Sequence, residues 1–401
     1  MQRLIRSEGM VEAWLSNIEK KEELLIREAI KKLTNPNPTK KYRAIYASQY
    51  GNKNAEISEI VECAEFDHPN YIALKKLGEG GSGKVFLTRR VIGGEITNVE
   101  LAAKVFKLNQ LHPIIKGERE RRELKQLMIN EFTKLAYVQH PNILKTFVPE
   151  DFHETFLLPM EYMNGGNLEE LLNELSSDYM CDIKFLPLLQ TMIPGIAEGV
   201  DYLHRNGYVL RDLKLKNMLT NQTLKKVKLG DFETITSIEE LQTSNRFTIG
   251  SNMYAAPELI RGEKATQSSD AYALGACIYY ILSREKPSDN GFIATLNRIQ
   301  DRREYDRILR KRLMKIQQSA LQIEEKIEAR KNDIGPEEYE ILYETAETVS
   351  EYVPPLTSIL HRLLAFKPDW RTFRNIHSRI QSFQNDYRRA KERNINLVFI
   401  P

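Results

Sequence analysis

The sequence predicts an α+β protein in which a strand-rich stretch precedes a larger helical one. Three observations carry that expectation. From Tyr71 onward short apolar runs alternate with turn residues, among them K-L-G-E-G-G-S-G-K-V-F at 76–86. From Pro187 onward Leu188, Leu189, Met192, Ile193, Ile196, Val200 and Leu203 recur at helical steps and mark a buried amphipathic helix. Between Tyr208 and Glu233, apolar residues (Val209, Leu210, Leu213, Met218, Leu219, Val227, Leu229, Phe232) flank the polar residues Asp212, Asn217 and Asp231. That stretch reads as two short strands or turns presenting polar tips at one edge.

Composition sets the outer limits. The 401 residues suffice for two or three domain-sized units. With 41% hydrophobic and 28% charged residues the composition is that of an ordinary globular protein. A net charge of +3 over this length gives no argument for a nucleic-acid partner. Cys63, Cys181 and Cys277 are far apart and lack metal or CxxC spacing, so reduced thiols in a reducing compartment are expected. The N-terminal M-Q-R-L-I-R-S-E-G-M has no apolar core of a secretory signal. The longest apolar run, Ala273 to Leu282, is too short to span a bilayer. A soluble protein of the cytoplasm is the expectation.

The polar tips carry the chemistry. Asn217 follows Asp212 by five residues and Asp231 follows it by nineteen. A carboxylate that orients a hydroxyl, beside an Asn and an Asp that hold Mg²⁺ through oxygen, is what phosphoryl transfer requires. Arg211 and Lys214 add positive charge where a phosphate would sit. The run L-R-D-L-K-L-K-N, with D-F-E at 231–233, resembles the catalytic loop and metal motif of the eukaryotic-type protein kinases, H-R-D-L-K-x-x-N and D-F-G. Leu210 stands in place of the His and Glu233 in place of the Gly. The resemblance implies a bilobal fold: a small five-stranded antiparallel N-lobe with a helix C, and a larger, mainly helical C-lobe. It places an N-terminal helical extension at 1–66, the N-lobe at 67–163 and the C-lobe at 164–401.

In chain order, Val11, Trp14, Leu15, Ile18, Leu25, Ala29 and Leu33 predict an amphipathic helix that N-P-N-P at 35–38 ends. It is expected to pack on the body or to dock a partner. Gly78, Gly80 and Gly83 before Val85 form G-x-G-x-x-G-x-V, whose glycines let a hairpin tip approach phosphates. No long helix opens after the third glycine, which favours the kinase-type loop over a dinucleotide fold. By the resemblance, Lys104 in V-E-L-A-A-K-V-F-K contacts the α- and β-phosphates, and Ala102 with Val85 covers adenine. Residues 117 to 138 are a charged helix, and Glu131, nine residues before His140, is the expected ion-pair partner of Lys104. In F-L-L-P-M-E-Y-M-N-G-G-N-L, Met160 is expected to guard the pocket. The backbone of Glu161 and Met163 is expected to pair with adenine, and Gly165-Gly166 to serve as a hinge. Leu219 completes the expected nucleotide-binding set. Pro194-Gly195 suggests a kink in the helix before the catalytic loop.

Downstream, Ala256-Pro257-Glu258 matches the family's A-P-E anchor, with Arg371 of K-P-D-W-R placed to pair with Glu258. Asp270 is expected to bind catalytic-loop backbone and Ser251 to brace the loop. Thr248 and Ser244 are the expected sites of activating phosphorylation, read by Arg211. Residues 301–350 depart from the family. Tyr305, Leu309, Leu313, Ile316, Ala320, Ile323 and Ile327 keep a helical seam, Arg and Lys crowd 302–315, and Asp333-Ile-Gly335-Pro336 breaks the helix. A helical hairpin on the C-lobe is expected, ahead of a separate helix near Pro355–Phe366. Its basic face is ordinarily a solvated face, and a regulatory or adaptor protein there or an anionic membrane surface stays open.

The resemblance therefore implies an ATP- and Mg-dependent Ser/Thr protein kinase, which also phosphorylates itself. Asp212 orients the acceptor hydroxyl, Lys214 stabilises the moving phosphate, and Asn217 and Asp231 hold the metal. L-K-x-x-N after the Asp is the Ser/Thr form. Glu233 is expected to stiffen a hinge that Gly leaves free, slowing or specially regulating the enzyme. The rival reading is a pseudokinase, a nucleotide-binding scaffold acting through its extra helices. The extensions also suit a bacterial or viral kinase acting in the cytoplasm of a host cell.

Overall fold

The computed structural model describes residues 20–33, 38–51, 56–106, 117–152, 155–175, 179–182, 184–243, 252–329, 331–333 and 335–371, with 382, 385 and 389. The chain forms two compact units, residues 1–139 with 144–162, and residues 140–143 with 163–401. Their architecture is α+β, as expected: the first holds a five-stranded antiparallel sheet, the second is mainly helical.

In the first unit the sheet comprises β1 (Tyr71–Gly80), β2 (Gly83–Ile92), β3 (Glu95–Phe106), β4 (Glu150–Phe152) and β5 (Thr155–Glu161), in the order β1-β2-β3-β5-β4. Its two faces separate by residue parity, as the pleat demands. Phe86, Ala103 and Leu157 face a core shared with Ala47, Cys63 and Phe66. Those last three belong to or follow helices α2 (Pro38–Tyr50) and α3 (Ile57–Glu65). Among its described residues the extension holds three helices rather than one, with Ala29 of α1 (Lys20–Lys32) and the following Leu33 joining a second cluster around Ala44, Ile60 and Ala64. Residues 1–19, where half of the expected apolar stripe falls, lie outside the described set. The small residues Ala44, Ala47, Cys63 and Ala64 let helix and sheet approach closely, which is why no bulky periodic stripe announced α2 and α3. Buried Arg43 bonds Asp67 at 2.5 Å and His68 O at 3.2 Å, tying the extension to the entry of β1.

Helix α4 (Glu118–Ala136) packs on the sheet through an aromatic cluster. Phe106 stacks on Phe156 at 4.4 Å between ring centroids, and Phe132 of α4 lies 5.3 Å from Phe106. Gly83 is required by the sheet itself, because a Cβ there would lie 2.1 Å from the carbonyl oxygen of Val105.

In the second unit a π-helical turn, Leu188–Met192, runs into α6 (Ile193–Arg205), following α5 (Leu168–Glu174). Pro194 lies inside one unbroken helical run, Phe185–Arg205, and the wide π turn just before it is where the ladder departs from α-helical spacing, as the expected kink at Pro194-Gly195 implies. Gly195 has a packing cause: a Cβ would meet Asn142 Nδ2 at 2.5 Å and Val227 at 2.9 Å. Asn142 Nδ2 donates to Val227 O at 3.1 Å, so this close approach fixes the strand leading to Asp231.

The buried central helix α9 (Gln267–Ser283) starts with a capping box, Thr266 with Ser269. Short helices α7 (Ile238–Thr243) and α8 (Pro257–Ile260) precede it, and α10 (Phe292–Asn297) follows. Residues 302 to 363 form α11 (Arg302–Leu321), α12 (Ile323–Ala329) and α13 (Pro336–Leu363). Tyr305, Leu309, Leu313, Ile316 and Ala320 are buried, as the seam predicts, whereas Arg303, Arg307, Arg310, Lys311 and Lys315 are exposed. Arg312, between the two faces, donates to Tyr279 Oη at 2.8 Å and bonds Glu285, anchoring the hairpin to α9. The separate helix expected near Pro355 is instead the last part of one continuous helix. Pro354 and Pro355 lie inside α13, where Thr357 Oγ1 donates to Pro354 O at 2.7 Å. Among the described residues, no helix is long and apolar enough to cross a membrane.

The thiols divide by environment. Burial, with the charges of Glu59 and Glu62, pushes Cys63 up to about 12. Cys277 is pushed well above its ordinary value by burial and the charge of Asp212. Cys181 is half-buried. Alkylation depends on the thiolate, so iodoacetamide at neutral pH is expected to modify Cys181 in the folded protein and spare the other two. Equal modification of all three before unfolding, read by mass spectrometry, contradicts this packing.

Candidate active site

In the first unit, register gathers the expected nucleotide-binding residues on one sheet face. Val85 pairs with Lys104 and Lys104 with Leu158, while Leu87 pairs with Ala102 and Ala102 with Met160. Directly paired residues share a face, so Val85, Ala102, Lys104 and Met160 project together, on the side opposite Phe86, Ala103 and Leu157, which pack with Ala47, Cys63 and Phe66. Gly78 pairs with Val85 at the hairpin end of that face. A Cβ added at Gly78 or Gly80 meets nothing within 4 Å, so no packing of this chain demands glycine there. Open backbone at a hairpin tip fits a phosphate cradle. Glu161 N–H donates to Lys145 O at 2.9 Å, holding the end of β5 against the segment before β4.

The expected pair of Lys104 with Glu131 is not formed. Glu131 bonds Lys134, one turn along α4, at 2.6 Å. The Lys104 ammonium lies over Phe106, 5.4 Å from the ring centroid. The side chains are on the expected strand and helix but point to other partners.

In the second unit the loop after β6 (Tyr208–Val209) is pinned from beneath. Buried Asp270 of α9 accepts from Leu210 N at 2.8 Å and Arg211 N at 2.9 Å, and its Oδ2 lies 2.8 Å from His204 Nε2. Arg211 takes φ 71°, a left-handed conformation that costs a non-glycine residue on the order of 1 kcal/mol. The two bonds to Asp270 hold it there. Burial lowers the Arg211 guanidinium from its ordinary value, and the charge of Asp270 opposes that shift.

Beyond the loop, β7 (Met218–Thr220) pairs with β8 (Val227–Leu229), Met218 opposite Leu229. Gly230 N donates to Asn217 O at 2.8 Å, so Asn217 and Asp231 flank one hairpin end. Asn217 Nδ2 donates to Asp212 O at 3.0 Å, which commits the amide nitrogen to the loop and leaves Oδ1 as the metal-type donor. Lys214 Nζ bonds the Asp212 carboxylate at 2.5 Å. These oxygen donors fit Mg²⁺, which takes few protein ligands and completes its shell with water and phosphate oxygens. Leu219 forms a bridge with Asn167, and Gly165 N donates to Thr220 O at 2.9 Å, placing the segment after Met163 beside β7.

Glu233 does not need a glycine's backbone here. It lies in the turn Phe232–Thr234, and the positive φ of this motif falls on Asp231, at 56°. Thr234 Oγ1 donates to Leu210 O at 2.7 Å, binding this turn to the loop after β6. Leu210 and Phe232 are both buried, consistent with an apolar residue serving where the family carries His. Arg371 Nη1 bonds Glu258 at 2.5 Å, as expected. Ser244, Thr248 and Ser251 lie outside the described residues. Sequence reasoning missed His204, Glu169 and Lys286. Glu169 is a buried carboxylate bonded by Lys216 and Lys286, and no motif marks it.

Residues 71–378 match a family model described as the protein kinase domain. The chain is 29% identical over 228 residues to the serine/threonine-protein kinase Nek9 of Mus musculus, covering 56% of this chain and 21% of that protein. It is 37% identical over 154 residues to the mitogen-activated protein kinase kinase kinase mom-4 of Caenorhabditis briggsae, covering 38% of this chain and 27% of that protein. The chain thus spans about a fifth to a quarter of the length of these relatives.

Proposed function

This chain belongs to the protein kinase family, of the eukaryotic Ser/Thr type, and we propose that it transfers the γ-phosphate of ATP to Ser and Thr hydroxyls of proteins, itself included. The observation that carries the proposal is the loop pinned by Asp270, in which Lys214 and Asn217 bond Asp212 and Asn217 accepts from Gly230, the residue before Asp231. When bound, Mg-ATP supplies the phosphoryl group and the metal charge that stabilises its transfer. The chain supplies position and electrostatics. Asp212 accepts a hydrogen bond from the acceptor hydroxyl and points its oxygen at the phosphorus. Lys214 offsets charge on the phosphoryl oxygens. Asn217 Oδ1 and the Asp231 carboxylate are the metal donors.

Lys104 holds the α- and β-phosphates beneath the tip formed by Gly78, Gly80 and Gly83. Val85, Ala102, Met160 and Leu219 enclose the adenine, and the Glu161 carbonyl and Met163 N–H pair with its edge. Glu131 becomes the partner of Lys104 once it leaves Lys134. That exposed pair is worth only a few tenths of a kcal/mol, about what thermal motion supplies.

The test is transfer of labelled γ-phosphate from Mg-ATP to the protein itself and to one acidic and one basic generic protein, followed by phosphoamino-acid analysis. Label on Ser and Thr is expected. Label on Tyr alone contradicts the acceptor assignment. Absence of label with nucleotide still bound favours a nucleotide-binding scaffold.

A further inference from the structure

We infer that Lys216 and Lys286, held by buried Glu169, form a subsite beside the catalytic loop that recognises an acidic side chain of the substrate. The inference rests on the kinase reading above and names the class of protein segment it acts upon.

Glu169 lies on α5 and is only 7% exposed. Its Oε2 is 3.4 Å from Lys216 Nζ and its Oε1 is 3.1 Å from Lys286 Nζ. A buried carboxylate needs a cation, and one lysine would satisfy it. Here two are held, so the group carries a surplus positive charge. That surplus faces outward, because the two lysine side chains are 62% and 57% exposed. Each ammonium has three N–H donors and directs part of them to Glu169, leaving the others for an anion from solvent. Shared anchoring on one rigid carboxylate also limits the rotamer entropy that lone surface lysines lose on binding.

The place is as informative as the charge. Lys216 lies in the tight turn Leu215–Asn217, where its neighbours Leu215 and Asn217 are buried and it alone points out. It follows Asp212 by four residues, so the two lie within about 14 Å of each other. An extended peptide covers that distance in about four residues. A substrate with its hydroxyl at Asp212 therefore reaches Lys216 within about four positions of the acceptor. Buried Tyr254, from the segment just before Ala256-Pro257-Glu258, bonds the backbone of Leu215 and lies near Glu169. Both the loop and the segment entering the A-P-E anchor converge on this carboxylate. Lys214 and Lys216 lie on either side of Leu215, and no acidic residue stands between Asp212 and Asp231 to compete.

The test is a positional scan of Ser-acceptor peptides, placing Asp, Glu, phosphoserine or Arg at each of five positions on either side. At one position or a pair of adjacent ones, the wild-type protein is expected to favour the acidic residues over Arg by about fivefold or more in kcat/KM, less at high salt. Lys216→Glu keeps Lys286 on Glu169 and is expected to invert the ranking toward Arg at that same position. Misfolding cannot produce that inversion. In parallel, anisotropy measures binding of fluorescent acidic and basic peptides with Ala at the acceptor position. Acid-selective binding that Lys216→Glu abolishes supports the subsite. Phosphorylation with no acidic preference, or a preference the variant leaves unchanged, overturns it and reduces the lysines to neutralising Glu169. If no peptide is phosphorylated the kinase reading fails, and the anisotropy alone then upholds or overturns the subsite.

Discussion

Replacing Arg371 by Met is expected to destabilise the second unit by about 3–5 kcal/mol, the usual result of stranding one half of a buried ion pair. For a unit of this size that lowers the melting temperature by on the order of 10 °C. Arg371 and Glu258 are 6% and 3% exposed. The guanidinium also donates through Nε to Ala365 O at 2.8 Å and stacks over Tyr272, 4.8 Å from its centroid. Glu258 Oε2 is already buried without a hydrogen bond, so loss of Arg371 leaves the whole carboxylate uncompensated. The double variant Arg371→Met with Glu258→Gln is expected to recover a good part of the loss, since the stranded charge is gone. A thermal or denaturant melt in which Arg371→Met costs under about 1 kcal/mol contradicts the buried pair.

Asp270→Asn is expected to lower kcat by on the order of a hundredfold while leaving KM for ATP nearly unchanged, because a small displacement of a reacting group costs that much. The carboxylate offers acceptors to three donors: Leu210 N, Arg211 N and His204 Nε2. An Asn amide presents one oxygen and one NH₂, so at least one donor faces another donor. That mismatch costs about 1–3 kcal/mol, and the strained φ at Arg211 loses its restraint. Asp270 touches no substrate in this account; it is a positioning residue for Asp212. Equal losses in kcat and in nucleotide affinity would instead indicate general unfolding.

Much of this was legible in the residues. The glycine pattern with a strand rather than a helix after it placed the hairpin, and the resemblance put Lys104 on the strand that is β3 in the structure. Helical periodicity found α6 and the seam of α11. What escaped had physical causes. Proline near a helix start is a strong sequence signal, so Pro354-Pro355 read as a beginning, yet α13 runs through them on the packing of Val353, Leu356 and Leu360. Helices α2 and α3 hide behind small residues. The family's glycine at 233 pointed to special backbone angles at that residue, whereas the left-handed angle falls on Asp231. The partner of Glu131 turns on a side-chain choice between Lys104 and Lys134, which sequence spacing does not decide. Glu169 was invisible because its two lysines come from distant segments.

In the proposed mechanism phosphoryl transfer depends on Asp212. That dependence is tested most directly by single-turnover transfer from labelled Mg-ATP, wild type beside Asp212→Asn, with nucleotide binding measured on both. A loss of on the order of a thousandfold in the variant, with binding unchanged, is the predicted result. Equal transfer by both proteins, or none by the wild type despite bound nucleotide, contradicts it.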